Sequence, residues 1–73
     1  MQEILEKLIK DEKLMKNEWE ILIENSKLIN EYTDDYAVHS IYDYEEITFE
    51  KTIRIIEATG MVKYDTQYHL IKK

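Results

Sequence analysis

The chain has 73 residues, no cysteine and a formal net charge of −6 at neutral pH. This length allows one domain with a small core, and the absence of cysteine excludes disulfides and thiolate metal sites. No apolar run can span a membrane and the charged N-terminus does not match a signal peptide, so a cytoplasmic protein is predicted.

The charge is unevenly distributed along the chain. Residues 1–16 are neutral, residues 17–46 hold nine acids against Lys27 alone, and residues 47–73 carry a net charge of +2. This asymmetry indicates that the last third of the chain meets a different partner from the middle.

The first predicted element is an amphipathic helix within residues 2–15, with apolar residues recurring on one face. The rest of a domain this small need not cover that face. Residues 1–16 are therefore predicted to be a helix used for dimerisation, and the predicted homodimer interface is Ile4, Leu5, Leu8 and Ile9.

A second helix is predicted over residues 18–31. Asn17 can cap its N-terminus, with Glu20 three residues later, and Trp19, Leu22 and Ile29 mark its apolar stripe. The sequence leaves open whether residues 2–31 form one helix or two.

Two further helices are predicted downstream. Thr33 or Asp34 can cap a short helix with its inner face at Ala37, Val38, Ile41 and Tyr42. Thr48 can cap the next, in which Phe49, Ile53 and Ile56 stand at helical spacing. Gly60 is expected to end that helix with a positive φ.

The last predicted element is a β-hairpin. Val62 and Tyr64 on one side, and Tyr68, Leu70 and Ile71 on the other, are residue types that strands favour. The turn between them is predicted at residues 65–67, Asp-Thr-Gln.

The spacing of Phe49, Ile53, Ile56 and Gly60, followed by Met61-Val62 and a ribbon, resembles the winged helix-turn-helix family. The resemblance covers residues 18–73, departs from the family at His39 and Asp43, and is best over residues 49–64. It implies an α+β fold in a single domain, residues 1–73, with a three-helix core, a C-terminal β-hairpin and an extra N-terminal helix.

The same resemblance implies a transcriptional regulator that binds double-stranded DNA in a sequence-specific way through the third helix of the motif and the wing. Arg54 could contact guanine in the major groove, and the wing would meet phosphates. The DNA-binding residues implied are Thr48, Glu50, Lys51, Arg54, Lys63, Gln67, His69, Lys72 and Lys73.

An acidic surface supports a different function. Asp34, Asp35, Asp43, Glu45 and Glu46 lie in or beside the second helix of the motif and its turn, where they would oppose the DNA backbone. A protein-binding module (an inhibitor, anti-defence or adaptor protein with a basic partner) is therefore the alternative. A purely structural dimerisation domain is a third possibility.

Catalysis is not expected. Ser26 and Ser40 lack a convincing histidine–acid arrangement, and Asp35, His39 and Asp43 are better explained as a solvated helix face than as metal ligands. One glycine cannot build a phosphate-binding loop, so no cofactor is predicted.

Overall fold

A computed structural model describes residues 1–72, apart from the side chains of Ala58 and Lys72. The fold is α+β, with two short helices followed by four strands. The helices are α1 (Gln2–Ile9) and α2 (Lys16–Glu24), and the strands are β1 (Lys27–Thr33), β2 (Ala37–Tyr44), β3 (Ile47–Ala58) and β4 (Met61–Lys72).

The four strands form one antiparallel sheet in the order β1-β2-β3-β4, so each strand pairs with its neighbour in sequence. Side chains alternate between the two faces of a strand. Tyr42, Phe49 and Leu70 are neighbours on one face, called here the helix face. His39 and Thr52 are neighbours on the opposite face, called here the open face.

Both helices pack against the helix face and build the core there. Trp19 of α2 contacts Phe49 with ring centroids 5.5 Å apart and Tyr68 with centroids 5.3 Å apart. Leu22 and Phe49 are fully buried. The buried core cluster is Ile4, Leu8, Leu14, Leu22 and Phe49.

Helix α1 ends earlier than predicted because Asp11 adopts a left-handed conformation, with φ +58°. The N–H of Glu12 donates to the carbonyl of Lys7, and the N–H of Asp11 donates to that of Leu8. These two bonds form a Schellman motif, in which Asp11 holds the position that glycine usually occupies.

The N-terminus of α2 also differs from the prediction at Asn17. Met15 is the N-cap, and its N–H donates to the Glu18 carboxylate at 2.9 Å. Residues 27–31, predicted as the end of this helix, belong to β1. Residues 2–31 thus contain two separate helices, and no helix among residues 1–72 is long and apolar enough to cross a membrane.

The winged-helix prediction is wrong, because both helices predicted between residues 33 and 59 are strands. Residues 37–44 form β2 and residues 47–58 form β3. Thr48 therefore caps no helix, and Ile53 lies in a strand beside Val38. The physical reason is composition, since β-branched side chains lose rotamer freedom in a helix and pack well on a sheet.

The predicted hairpin turn at residues 65–67 is also wrong. These residues lie in the middle of β4, and the turn is at Thr59 and Gly60. Gly60 has φ +76°, as predicted, but it closes a strand pair and does not end a helix. Because Thr59 also has a positive φ, the turn has the signature of type I′.

Candidate functional site

The residues predicted to bind DNA are brought together on the sheet, not on a helix. Lys51 lies on the helix face, and the side chain of Lys72 and the whole of Lys73 lie outside the described residues. The strand registers place the others on the open face: Thr48, Glu50, Arg54, Lys63, Gln67 and His69.

Acids accompany the bases on this open face. Arg54 lies opposite Asp65 in the β3–β4 register. Asp43 accepts a hydrogen bond from Thr48 at 2.8 Å. The open face therefore carries mixed charge and is not continuously basic.

The most highly connected polar group on the open face is His39. Its Nδ1 lies 2.7 Å from Glu50 Oε1, and its Nε2 lies 2.7 Å from Asp34 Oδ2. Thr52 donates to the same Glu50 oxygen at 2.9 Å, and the ring of Tyr32 stacks on the imidazole at 4.6 Å. This cluster joins β1, β2 and β3.

The two carboxylates set the charge of His39. Hydrogen bonding to Glu50 and then to Asp34 raises the pKa of His39, since both interactions favour the imidazolium. The hydrogen bond from His39 is the first cause that lowers the pKa of Glu50, and also of Asp34. With both ring nitrogens occupied, His39 has no free nitrogen for nucleophilic or base catalysis.

Metal binding finds no support among residues 1–72. No group of three or more histidine or acidic side chains there could hold a metal ion. The predicted set of Asp35, His39 and Asp43 does not share a helix, because Asp35 precedes β2 and the other two lie within it.

An apolar cleft lies on the other side of the molecule, between α1 and the β2–β3 turn. Its volume is about 360 Å³. Leu8 closes it from the core, and Ile9 at its mouth is 73% exposed. The residues that line it are Leu5, Leu8, Ile9, Glu45, Glu46 and Ile47.

Two glutamates form the turn at the edge of this cleft, and they are the only charged residues in its lining. Glu45 has φ +53°, in the left-handed region, while Tyr44 and Ile47 pair on either side of the turn. A two-residue hairpin with positive φ at its first central position prefers glycine there. Any residue with a Cβ atom is locally unfavourable at this position, and such positions concentrate at functional sites.

The four residues predicted as a dimer interface divide into two groups. Ile4 and Leu8 are each 5% exposed and belong to the core. Leu5 and Ile9 instead line the cleft beside Ile47. The amphipathic stripe of α1 is thus mainly used within the chain, and its remaining part borders the acidic turn.

Comparison of the chain with protein families, with curated proteins and with solved structures finds no significant match.

Sequence reasoning missed both the histidine cluster and the cleft. His39 is eleven residues from Glu50, and Leu5 is forty residues from Glu45. Reading residues 37–44 as a strand would have placed His39 on the face opposite Tyr42. No local signal links α1 with the turn, because their contact depends on how the helix packs.

Proposed function

We propose that this chain is a protein-binding module, not an enzyme, whose cleft takes an apolar side chain from a basic segment of another protein. The observation that carries the proposal is the composition of the cleft, in which an aliphatic floor meets two adjacent carboxylates.

The floor supplies the apolar part of the recognition. Leu5, Ile9 and Ile47 present aliphatic surface that water now contacts, and an inserted side chain would remove that surface from water. Removal of apolar surface contributes about 25 cal/mol per Å² before the entropy costs of binding.

The rim supplies the charge preference. Glu45 and Glu46 are both exposed, and they belong to the middle segment that carries a charge of −8. A lysine or arginine beside the inserted residue would meet these carboxylates, whereas an acidic neighbour would be repelled. The expected partner segment is therefore an apolar residue flanked by bases.

The protein-binding function accounts for the surfaces better than the DNA-binding prediction does. That prediction placed a recognition helix at residues 48–59, and these residues form β3 and its turn. On the open face, Arg54 and Lys63 are accompanied by Asp34, Asp43 and Asp65.

Binding can be tested with three short synthetic peptides: a leucine flanked by lysines, the same peptide with glutamates in place of the lysines, and the lysine peptide with alanine in place of leucine. We expect the lysine–leucine peptide to shift the methyl resonances of Leu5, Ile9 and Ile47 in NMR spectra. The methyls of Leu22 in the core and Ile55 in the distal sheet serve as internal controls.

Variants of the chain distinguish charge recognition from non-specific hydrophobic binding. The double change Glu45→Gln and Glu46→Gln should weaken the lysine–leucine peptide several-fold, because each exposed ion pair contributes up to about 1 kcal/mol. Glu20→Gln, on the exposed face of α2, should leave binding unchanged. Equal binding of the lysine and glutamate peptides, or no shift at the cleft methyls, would contradict the proposal.

Direct binding of duplex DNA tests the alternative function. Salt-dependent binding of a labelled duplex that Arg54→Ala weakens would support the DNA-binding prediction instead.

A further inference from the structure

The outer edge of β4 is a long strand edge with no neighbouring strand in the described part of the chain. It runs from Met61 to Lys72, and its only irregularity lies near its end, opposite Thr48 and Phe49. The opposite edge strand, β1, is shorter and has a bulge between Leu28 and Asn30. Bulges and short length protect an edge from pairing, so β1 is protected and β4 is open.

The direction of the free backbone groups on β4 follows from the turns. In the two-residue turn at Thr59 and Gly60, the flanking pair of Ala58 and Met61 is hydrogen-bonded, and bonding then alternates along the strands. The bond from the N–H of Ile55 to the carbonyl of Tyr36 agrees, because it directs odd-numbered residues of β3 toward β2. The residues of β4 whose backbone groups face outward are therefore Val62, Tyr64, Thr66, Tyr68 and Leu70.

The same residues place their side chains on the helix face, and all of them except Thr66 are aliphatic or aromatic. Beyond the helices, Ile55, Val62 and Tyr64 form an uncovered row, and Tyr64 is 70% exposed. At the other end of β4, Tyr68 lies beneath Trp19. On the helix face, β4 is thus uncovered at its Val62 and Tyr64 end and covered by α2 at its Tyr68 end.

Charge distinguishes β4 from the rest of this acidic chain. β4 contains Lys63 and Lys72 against Asp65, a formal charge of +1. Two copies with a net charge of −6 each repel less when they meet through β4 than through the acidic middle segment.

We propose that two copies of the chain pair through β4, antiparallel about a two-fold axis at Thr66, to form a continuous eight-stranded sheet. A two-fold axis keeps the helices of both copies on the same side of that sheet. This surface is separate from the cleft, and the inference does not depend on the proposed function.

Register follows from the side chains. An axis at Asp65 would place two aspartates directly opposite each other, which is unfavourable. An axis at Tyr64 would overlap only residues 61–67, and an axis at Gln67 would set Lys63 opposite the aliphatic Ile71. An axis at Thr66 overlaps residues 61–71, and it sets Tyr64 opposite Tyr68 and Val62 opposite Leu70 of the second copy. The uncovered end of each β4 then lies beside the covered end of β4 in the other copy.

Sedimentation of the full chain over a range of concentrations tests the association, with a dimer expected at high concentration. Thr66→Pro should give a monomer, because it removes an outward N–H without removing a bond to β3. Glu31→Pro is the matched control, since the same alternation turns the Glu31 backbone away from β2 at the other edge. A monomer at every concentration, or a dimer that Thr66→Pro leaves intact, overturns the proposal.

Single cysteines test the register in a chain that has none of its own. In a hydrogen-bonded pair the two Cα atoms are about 5.5 Å apart, so Thr66→Cys should cross-link fastest with a short bifunctional thiol reagent. Met61→Cys and Leu5→Cys should react slowly. This scan also decides the matter if Thr66→Pro fails to fold, and a maximum rate at Leu5→Cys would place the interface on α1 instead.

Discussion

The indole ring of Trp19 lies parallel to the phenol ring of Tyr68, with an interplanar angle of 6° and centroids 5.3 Å apart. This contact joins α2 to the edge strand of the sheet, and Trp19 also contacts Phe49 in the adjacent strand. Burial raises the pKa of the Tyr68 phenol. One helix side chain thus contacts two strands, so the stability of the domain depends on how α2 packs on the sheet.

The packing orientation of α2 can be tested with two neighbouring residues. Leu22 is fully buried, whereas Ile21 is 41% exposed. Leu22→Ala should destabilise the protein by about 2–5 kcal/mol, because it leaves a cavity in a small core. Ile21→Ala should cost less than about 1 kcal/mol, as measured by urea unfolding at several protein concentrations. Similar losses for both variants would mean that α2 is packed in a different rotation.

The His39 cluster predicts how stability depends on pH. The folded pKa of His39 is raised. The stability that His39 adds is therefore complete below its unfolded pKa of about 6.5, and it is lost as pH rises through the folded pKa. The folded pKa values of Asp34 and Glu50 are lowered. The stability that these two carboxylates add is therefore present above about pH 4, and it is lost as pH falls through their folded pKa values.

His39→Gln removes the group that couples these titrations. We expect the melting temperature of the variant to fall furthest below the parent between about pH 4.5 and 6.5, and the difference to shrink at higher pH. His69→Gln, opposite Glu50 in the β3–β4 register, removes only a weaker charge interaction with Glu50 and should lower the melting temperature less. A difference between His39→Gln and parent that instead grows as pH rises to about 6.5, and is constant above it, would show that His39 is neutral in the folded protein.

The β3–β4 turn predicts that one residue is poorly suited to its position. Thr59 has φ +38° although β-branched residues strongly disfavour this region, whereas asparagine tolerates it. Thr59→Asn should therefore raise stability by about 1 kcal/mol. Thermal unfolding monitored by circular dichroism would measure the gain, and a lower melting temperature would rule out a type I′ turn.

Gly60 supplies the opposite test in the same turn. A Cβ atom at Gly60 would meet nothing within 4 Å, so substitution creates no clash. Gly60→Ala should still cost about 1 kcal/mol, because φ +76° disfavours residues with a side chain. Unchanged stability would mean that the backbone at Gly60 readily takes another conformation.

Glu45 predicts a conflict between stability and binding. Glu45→Gly relieves a positive φ in the turn and should raise stability by about 1 kcal/mol or less. The same change removes a carboxylate from the cleft and should weaken the lysine–leucine peptide about two- to five-fold. Glu46→Gln should weaken the peptide without the gain in stability. If Glu45→Gly raised both the stability and the affinity for the lysine–leucine peptide, the turn would not be part of the binding surface.

Sequence reasoning succeeded where structure depends on near neighbours. The helices predicted within residues 2–15 and over residues 18–31 overlap α1 and α2, and the positive φ predicted at Gly60 is confirmed. Spacing of three and four residues brings Ile4 and Leu8 onto one helix face whatever lies opposite. The ends were less accurate, because the Asp11 cap resembles no common glycine signal.

Sequence reasoning failed where one spacing fits two structures. Phe49 and Ile53 are four residues apart, so they share a face in a helix and also in a strand. Ile56 favoured the helix, whereas Ile47 and Ile55 belong with Phe49 only in a strand. The β-branched composition of this segment was the stronger signal.

What the sequence by itself determined is the acidic charge, the single small core and the stretches able to form α1 and α2, since these follow from composition and local spacing. Tertiary structure alone decided the surfaces. Strand register brings His39 between Asp34 and Glu50, and helix packing brings Ile9 beside Glu45. Such pairings depend on contacts across tens of residues, which no local pattern encodes, because their closure entropy is offset only when the whole sheet forms.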